Sequence, residues 1–171
     1  MSTKRLTRRC SERLPAVRSS LPMTKLFHLR LILALVTLAT MPAASAQSEL
    51  KIKVEVSSQA NDDTPVAVDL VLVADREVLK ELMKISASDW FENRAQYRLD
   101  YPEETGLRAG SWEWVPGQVV RLEPITVDPE IVGGVVFANY STPGEHRAAI
   151  NPRKSFAIIL GVKDFTIRPE K

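Results

Sequence analysis

The sequence predicts a mainly β protein, an antiparallel β-sandwich with a short helical insertion after its second strand. Three observations carry this. After residue 47 apolar and polar residues alternate with period two over most of the chain, one stretch switches to helical spacing, and turn residues punctuate these runs at short intervals. The 171 residues, 44% hydrophobic and 26% charged, have globular composition, which excludes fibrous, collagen-like and wholly disordered chains.

The chain divides at 46/47. A positive segment, Met23 to Arg30, precedes the apolar run Leu31-Ile32-Leu33-Ala34-Leu35-Val36-Thr37-Leu38-Ala39, the breaker Pro42 and the small residues Ala43-Ala44-Ser45-Ala46. This is the layout of a secretory signal with cleavage after Ala46, and its apolar run falls short of the roughly 20 residues a membrane-spanning helix needs. Residues 1–46 are thus read as an N-terminal extension plus signal peptide. Met23 is the expected true start, because the prefix with Arg5, Arg8, Arg9, Arg13 and Arg18 is more than a signal requires. An extended signal or a basic arm for nucleic acid or acidic lipid are the readings of that prefix.

Residues 47–171 form the expected single exported domain, large enough to bury a core without staples. They hold fifteen Lys/Arg against twenty Asp/Glu, a net charge of −5, where a nucleic-acid binder would need clustered cations. The only cysteine, Cys10, lies before the cleavage point, so neither a disulfide nor a thiolate metal site is expected in the exported part.

Leu50, Ile52, Val54 and Val56 alternate with Lys51, Lys53 and Glu55, a half-buried strand. The polar stretch 57–65 breaks the pattern. The next strand sets Val66, Val68, Leu70 and Leu72 against Ala67, Asp69, Val71 and Val73, more apolar and hence more central. At Asp75, a suitable N-cap, the period changes: Val78, Leu79, Leu82 and Met83 recur at helical spacing, with Glu77/Lys80 and Glu81/Lys84 as exposed pairs. A second short helix is expected from Asp89, with Glu92 at capping-box spacing and Trp90, Phe91 and Tyr97 closing one end of the core. Strands resume from Ser111. Trp112 and Trp114 precede a Pro116-Gly117 turn, and Val120 and Leu122 precede Pro124. Val135 to Ala138 form an apolar run, Ser141-Thr142-Pro143-Gly144 a turn, and Phe156, Ile158, Leu160 and Val162 a long last strand continuing through Phe165 and Ile167.

Catalytic motifs are sparse. His146, the one histidine after residue 46, lies in a turn beside Glu145 and Arg147 and reads as a solvated side chain. Neither a histidine metal cluster nor a Ser-His-Asp set can be built on it. Asn61-Asp62-Asp63 lacks the glycine and distal glutamate of an EF-hand and reads as a polar turn, and Gly133-Gly134 marks a strand start rather than a phosphate loop. No catalytic residue, cofactor or metal is assigned.

The segment Ser58-Gln59-Ala60-Asn61-Asp62-Asp63-Thr64-Pro65-Val66-Ala67-Val68-Asp69-Leu70-Val71-Leu72 resembles the start of the TssJ family, outer-membrane lipoproteins of type VI secretion systems. Trp114-Val115-Pro116-Gly117-Gln118 resembles that family's Pro-Gly turn, and Ile131 to Tyr140 its late glycine-valine strand. The resemblance implies a transthyretin-like sandwich acting as a non-enzymatic scaffold subunit of a type VI secretion membrane complex. Its implied partner is the periplasmic domain of a TssM-like inner-membrane protein, met by the loop between the first two strands. Within that loop Asn61, Asp62 and Asp63 can pair with donors on a partner and Gln59 can reach further, so these four are the expected contact residues. One departure stands out: Ala46-Gln47 occupies the place of the lipidated cysteine, so an unlipidated variant is implied, peripheral to the outer membrane at most. Two other readings are a small-ligand or glycan-binding sandwich with Trp90, Trp112 and Trp114 as a stacking platform, and a transthyretin-like hydrolase, which the lack of clustered histidines disfavours.

Overall fold

The computed structural model describes residues 47–103 and 106–170. The signal, Cys10 and the basic prefix read from the sequence lie outside the described residues. Ten strands and two helices follow in the order β1 (Ser48–Leu50), β2 (Ile52–Val56), β3 (Val66–Val73), α1 (Arg76–Leu82), α2 (Ala87–Asp100), β4 (Leu107–Trp114), β5 (Val119–Arg121), β6 (Ile125–Val127), β7 (Gly133–Asn139), β8 (Arg147–Ile150), β9 (Phe156–Leu160) and β10 (Phe165–Pro169). One four-stranded sheet has the order β10-β9-β2-β5, the other β4-β3-β7-β8, and β1 pairs with β6 apart from both.

The alternation in the sequence decides what each strand faces. Ile52, Val54 and Val56 of β2 and Phe156, Ile158 and Leu160 of β9 meet Val66, Val68, Leu70 and Leu72 of β3 and Val136 and Ala138 of β7 in a single core between the sheets. Strand β3 is buried on its other face too. There Val71 and Val73 join Val135 and Phe137 of β7 and pack under Val78, Leu82, Ala87 and Trp90 of the helices. The molecule is therefore a sandwich with a helical layer over one sheet, and the helices form the insertion expected between the second long strand and β4. Each fully buried Val or Leu contributes about 1.5–3 kcal/mol, so a strand buried on both faces is the most strongly fixed element.

Helix α1 is capped by Asp75, whose carboxylate accepts from the backbone N–H groups of Glu77 (2.6 Å) and Val78 (3.3 Å), and its exposed face carries the Lys80–Glu77 pair. The second helix starts earlier than the sequence suggested. Ser86 is its N-cap and Asp89 is the third helical residue of a reciprocal capping box, so Asp89 answers the cap instead of being it. Three further expectations are corrected. The long last strand is instead two strands, β9 and β10, which fold back on each other antiparallel. Strand β4 begins at Leu107, four residues before Ser111, and the run through Leu50 to Val56 is split, with Leu50 pairing to Ile125 of β6 while Ile52–Val56 enters the sheet. All pairs are antiparallel except β2 with β9, which run parallel in the register Val54↔Ile158.

Candidate docking end of the sandwich

Val56, Val66, Asn139 and Leu160 bring four connections to one end of the sandwich. These are the β2–β3 loop, the β4–β5 turn, the β7–β8 loop and the β9–β10 turn. The β2–β3 loop lies among the others and is tied to each. Ser57 N–H donates to the Leu160 carbonyl (2.8 Å), Gly117 N–H to the Ser57 carbonyl (3.2 Å), and Asn61 N–H to the Val162 carbonyl (2.9 Å).

Within this loop Asn61, Asp62 and Asp63 take φ values of 52°, 55° and 61°. Glycine apart, left-handed residues cost least when they are Asn or Asp, which explains the residue types. Asn61 is buried, and its amide is spent inside the protein: Nδ2 donates to Thr64 Oγ1 (2.8 Å) and the Pro65 carbonyl (3.2 Å), while Oδ1 accepts from Ser141 N–H (2.7 Å). Thr64 returns a bond from Oγ1 to the Asn61 carbonyl (2.6 Å). The curled loop turns Gln59, Asp62 and Asp63 outward, all three exposed. Of the four contact residues expected from the sequence, three therefore face solvent, and Asn61 shapes the loop that presents them.

The β4–β5 turn has Pro116 at its second position, Gly117 at φ 83° in its third and a Gln118 N–H to Val115 carbonyl bond (3.3 Å). This is the type II arrangement that needs glycine at that point. On the opposite side stands His146. It is buried, with φ 42°, Nδ1 lying 3.0 Å from Asp164 Oδ1 and Nε2 2.8 Å from the Thr142 carbonyl. This corrects the reading of a solvated loop histidine. The ring ties the β7–β8 loop to the β9–β10 turn, with one nitrogen facing each. Tyr140 packs beside it at 5.1 Å between ring centroids, its hydroxyl 3.1 Å from the carbonyls of Gly161 and Asp164. Burial, and secondarily the Asp164 carboxylate, push the Tyr140 phenol above its usual range.

The tryptophan platform does not form. Trp90 is fully buried under the helical layer, stacked on Phe137 (5.0 Å, 6°), with Nε1 donating to the buried Asp69 carboxylate (2.9 Å). Trp112 and Trp114 pack on the other face of the same sheet, toward the inter-sheet core. Period two in β4 keeps those two together, and the helical insertion carries Trp90 to the opposite side. Asp69, on β3, was legible only as a polar residue on the less regular face. Its Oδ2 is 3.4 Å from Arg94 Nη1, and Arg94 lies over the Phe91 ring at 5.3 Å. Among the described residues no cluster of metal-binding side chains forms, and no helix is long and apolar enough to cross a membrane.

Comparison with protein-family models gives no match, and comparison with curated proteins gives none. Solved structures do match. The T6SS lipoprotein TssJ1 from Pseudomonas aeruginosa superposes with a TM-score of 0.58 at 12% identity, over 74% of this chain and 98% of that one. A chain of a type VI membrane complex gives 0.57 at 13% identity, over 72% of this chain and 100% of its own length. A chain of the structure described as the T6SS protein TssM C-terminal domain from EAEC gives 0.54 at 13%, over 73% and 100%. The fold is TssJ-like, a β-sandwich carrying its helical insertion, as the resemblance in the sequence implied.

Proposed function

We propose that this protein is a periplasmic scaffold subunit of a type VI secretion membrane complex, without catalytic activity of its own, that docks on the periplasmic domain of a TssM-like inner-membrane protein. The observation that supports it most is the extent of the structural likeness, which takes in 98% to 100% of the matched chains and includes a chain of a type VI membrane complex. The exported domain begins at Gln47 after removal of the signal, and Gln47 in place of a cysteine leaves it without an acyl chain. Gln59, Asp62 and Asp63 make the contact, and Asn61 holds their loop in shape. The use of His146 as a tie between loops supports a non-enzymatic role, since its ring nitrogens are both engaged within the protein.

Co-purification with the periplasmic domain of the TssM-like protein tests this reading. The native chain is retained, and a folded variant carrying Gln59→Ala, Asp62→Asn and Asp63→Asn, which keeps residues suited to the left-handed backbone, is retained less. Equal retention of the two would remove the loop from the interface, and no retention of the native chain would remove the partner.

A further inference from the structure

Five large apolar side chains are exposed among the described residues, and three of them belong to the docking end: Val115 (51% exposed), Val119 (65%) and Val162 (43%). Their positions are unusual. Val115 and Val162 sit in tight turns, where Gly, Asn, Asp and Ser serve the backbone and an aliphatic side chain has no core to fill. They flank the β2–β3 loop on its two sides. Val115 opens the turn whose Gly117 bonds the Ser57 carbonyl, and the carbonyl of Val162 itself receives the Asn61 N–H. Between them project Asp62 and Asp63, which take part in no ion pair among the described residues. Nearby Glu145 is paired with Arg147, and Asp164 is engaged by His146.

We propose that these valines and aspartates form one composite docking face, in which Val115 and Val162, with Val119 at the margin, supply the adhesive contacts and Asp62 and Asp63 steer approach. The partner surface that fits is protein with aliphatic side chains at its centre and Lys or Arg placed to meet the loop. This rests on the reading that the loop end docks, and it adds the chemistry of what it meets. The charge selects among occupants. Lys163, exposed beside Val162, leaves the face net negative with Asp62, Asp63 and Asp164, so an anionic lipid surface would be repelled and a second copy would bring mostly like charge, whereas a cation-bearing protein face gains both attraction and apolar burial. The backbone bonds that join the three connections hold the face in shape before binding, which lowers the ordering cost of association.

Association and dissociation rates of the full chain with the periplasmic domain of the TssM-like protein, at low and high salt, test this. Val115→Ser with Val162→Ser weakens binding about tenfold or more through faster dissociation and keeps the salt dependence. Asp62→Asn with Asp63→Asn slows association several-fold and flattens its salt dependence. Thermal melting confirms that both variants are folded. Native binding by the valine variant, together with weakened binding by the loop variant, would overturn the composite face and leave the loop reading standing. Salt-independent association of the native chain would overturn the cationic partner. Sedimentation of the chain alone as a dimer that the valine changes dissociate would assign the face to a second copy and overturn the proposal.

Discussion

The two ends of the sandwich solve the same problem with different side chains, and the difference separates a closed end from a presenting one. Away from the docking loops, Arg153 gathers the chain after β6. Its guanidinium donates to Ser48 Oγ (2.9 Å) and to the carbonyls of Val127 (3.2 Å), Asp128 (2.9 Å), Pro129 (2.9 Å) and Ile131 (3.2 Å). A cation with several donors in a rigid fork satisfies a row of backbone acceptors. At the docking end a neutral amide, Asn61, does the stapling, and the charged residues beside it are released to solvent. Where the staple is charged its charge is spent on the backbone, and where it is neutral the charges beside it remain available.

The largest effect should belong to neither end. Leu70→Ala removes a buried side chain from the inter-sheet core and should cost about 2 to 5 kcal/mol in chemical denaturation, weakening both ends together. Arg153→Ala should follow at about 2 kcal/mol, since charge-assisted bonds to five oxygens are lost, and should leave partner binding unchanged. A loss of binding without loss of stability would reverse the roles assigned to the two ends. Asn61→Ala should cost about 1 to 2 kcal/mol, because Ser141 N–H and the Pro65 carbonyl lose their partner and alanine resists a φ of 52°. It should also reduce binding, through loss of loop shape.

A pH effect sharpens the comparison further. The folded protein holds the Tyr140 proton more tightly than the unfolded chain, whose phenol ionises near its ordinary value of 10. The stabilisation tied to that proton is therefore fully present below pH 10 and declines as pH rises beyond it. Tyr140→Phe should accordingly lose less stability than the native chain on passing into alkaline buffer, and equal slopes in pH-dependent denaturation would contradict this. The smallest effect on stability is expected for Asp62→Asn with Asp63→Asn, within about 0.5 kcal/mol by thermal melting, because asparagine tolerates the left-handed backbone at φ 55° and 61° and both side chains are exposed.

How far the sequence discloses this arrangement depends on the range of the interaction. Alternation in β2, β3 and β9 placed their core faces correctly, because period two is local and one face must be buried. The Pro116-Gly117 turn and the Asp75 cap were legible for the same reason. The helix start at Ser86 was displaced by three residues because Asp89, the partner in the capping box, is itself a good cap type. The parallel pairing of β2 with β9 joins segments about a hundred residues apart and has no local signature. His146 was misread for a like cause: its partners Thr142 and Asp164 are ordinary turn residues, and only the fold brings the β9–β10 turn against it. In the loop the residue types of 61–63 were legible as a turn, but the division between Asn61 facing inward and Asp62 and Asp63 facing outward follows from three left-handed residues that composition does not reveal.

The central claim is that one end of the sandwich presents a docking face and the other is closed upon itself. Amide hydrogen exchange of the full chain, with and without the periplasmic domain of the TssM-like protein, tests it most directly. The account predicts added protection in residues 57–64, 115–119 and 161–164, with residues 127–131 and 151–155 exchanging as they do in the free protein. Protection centred on the Arg153 end, with the loops unchanged, would contradict it.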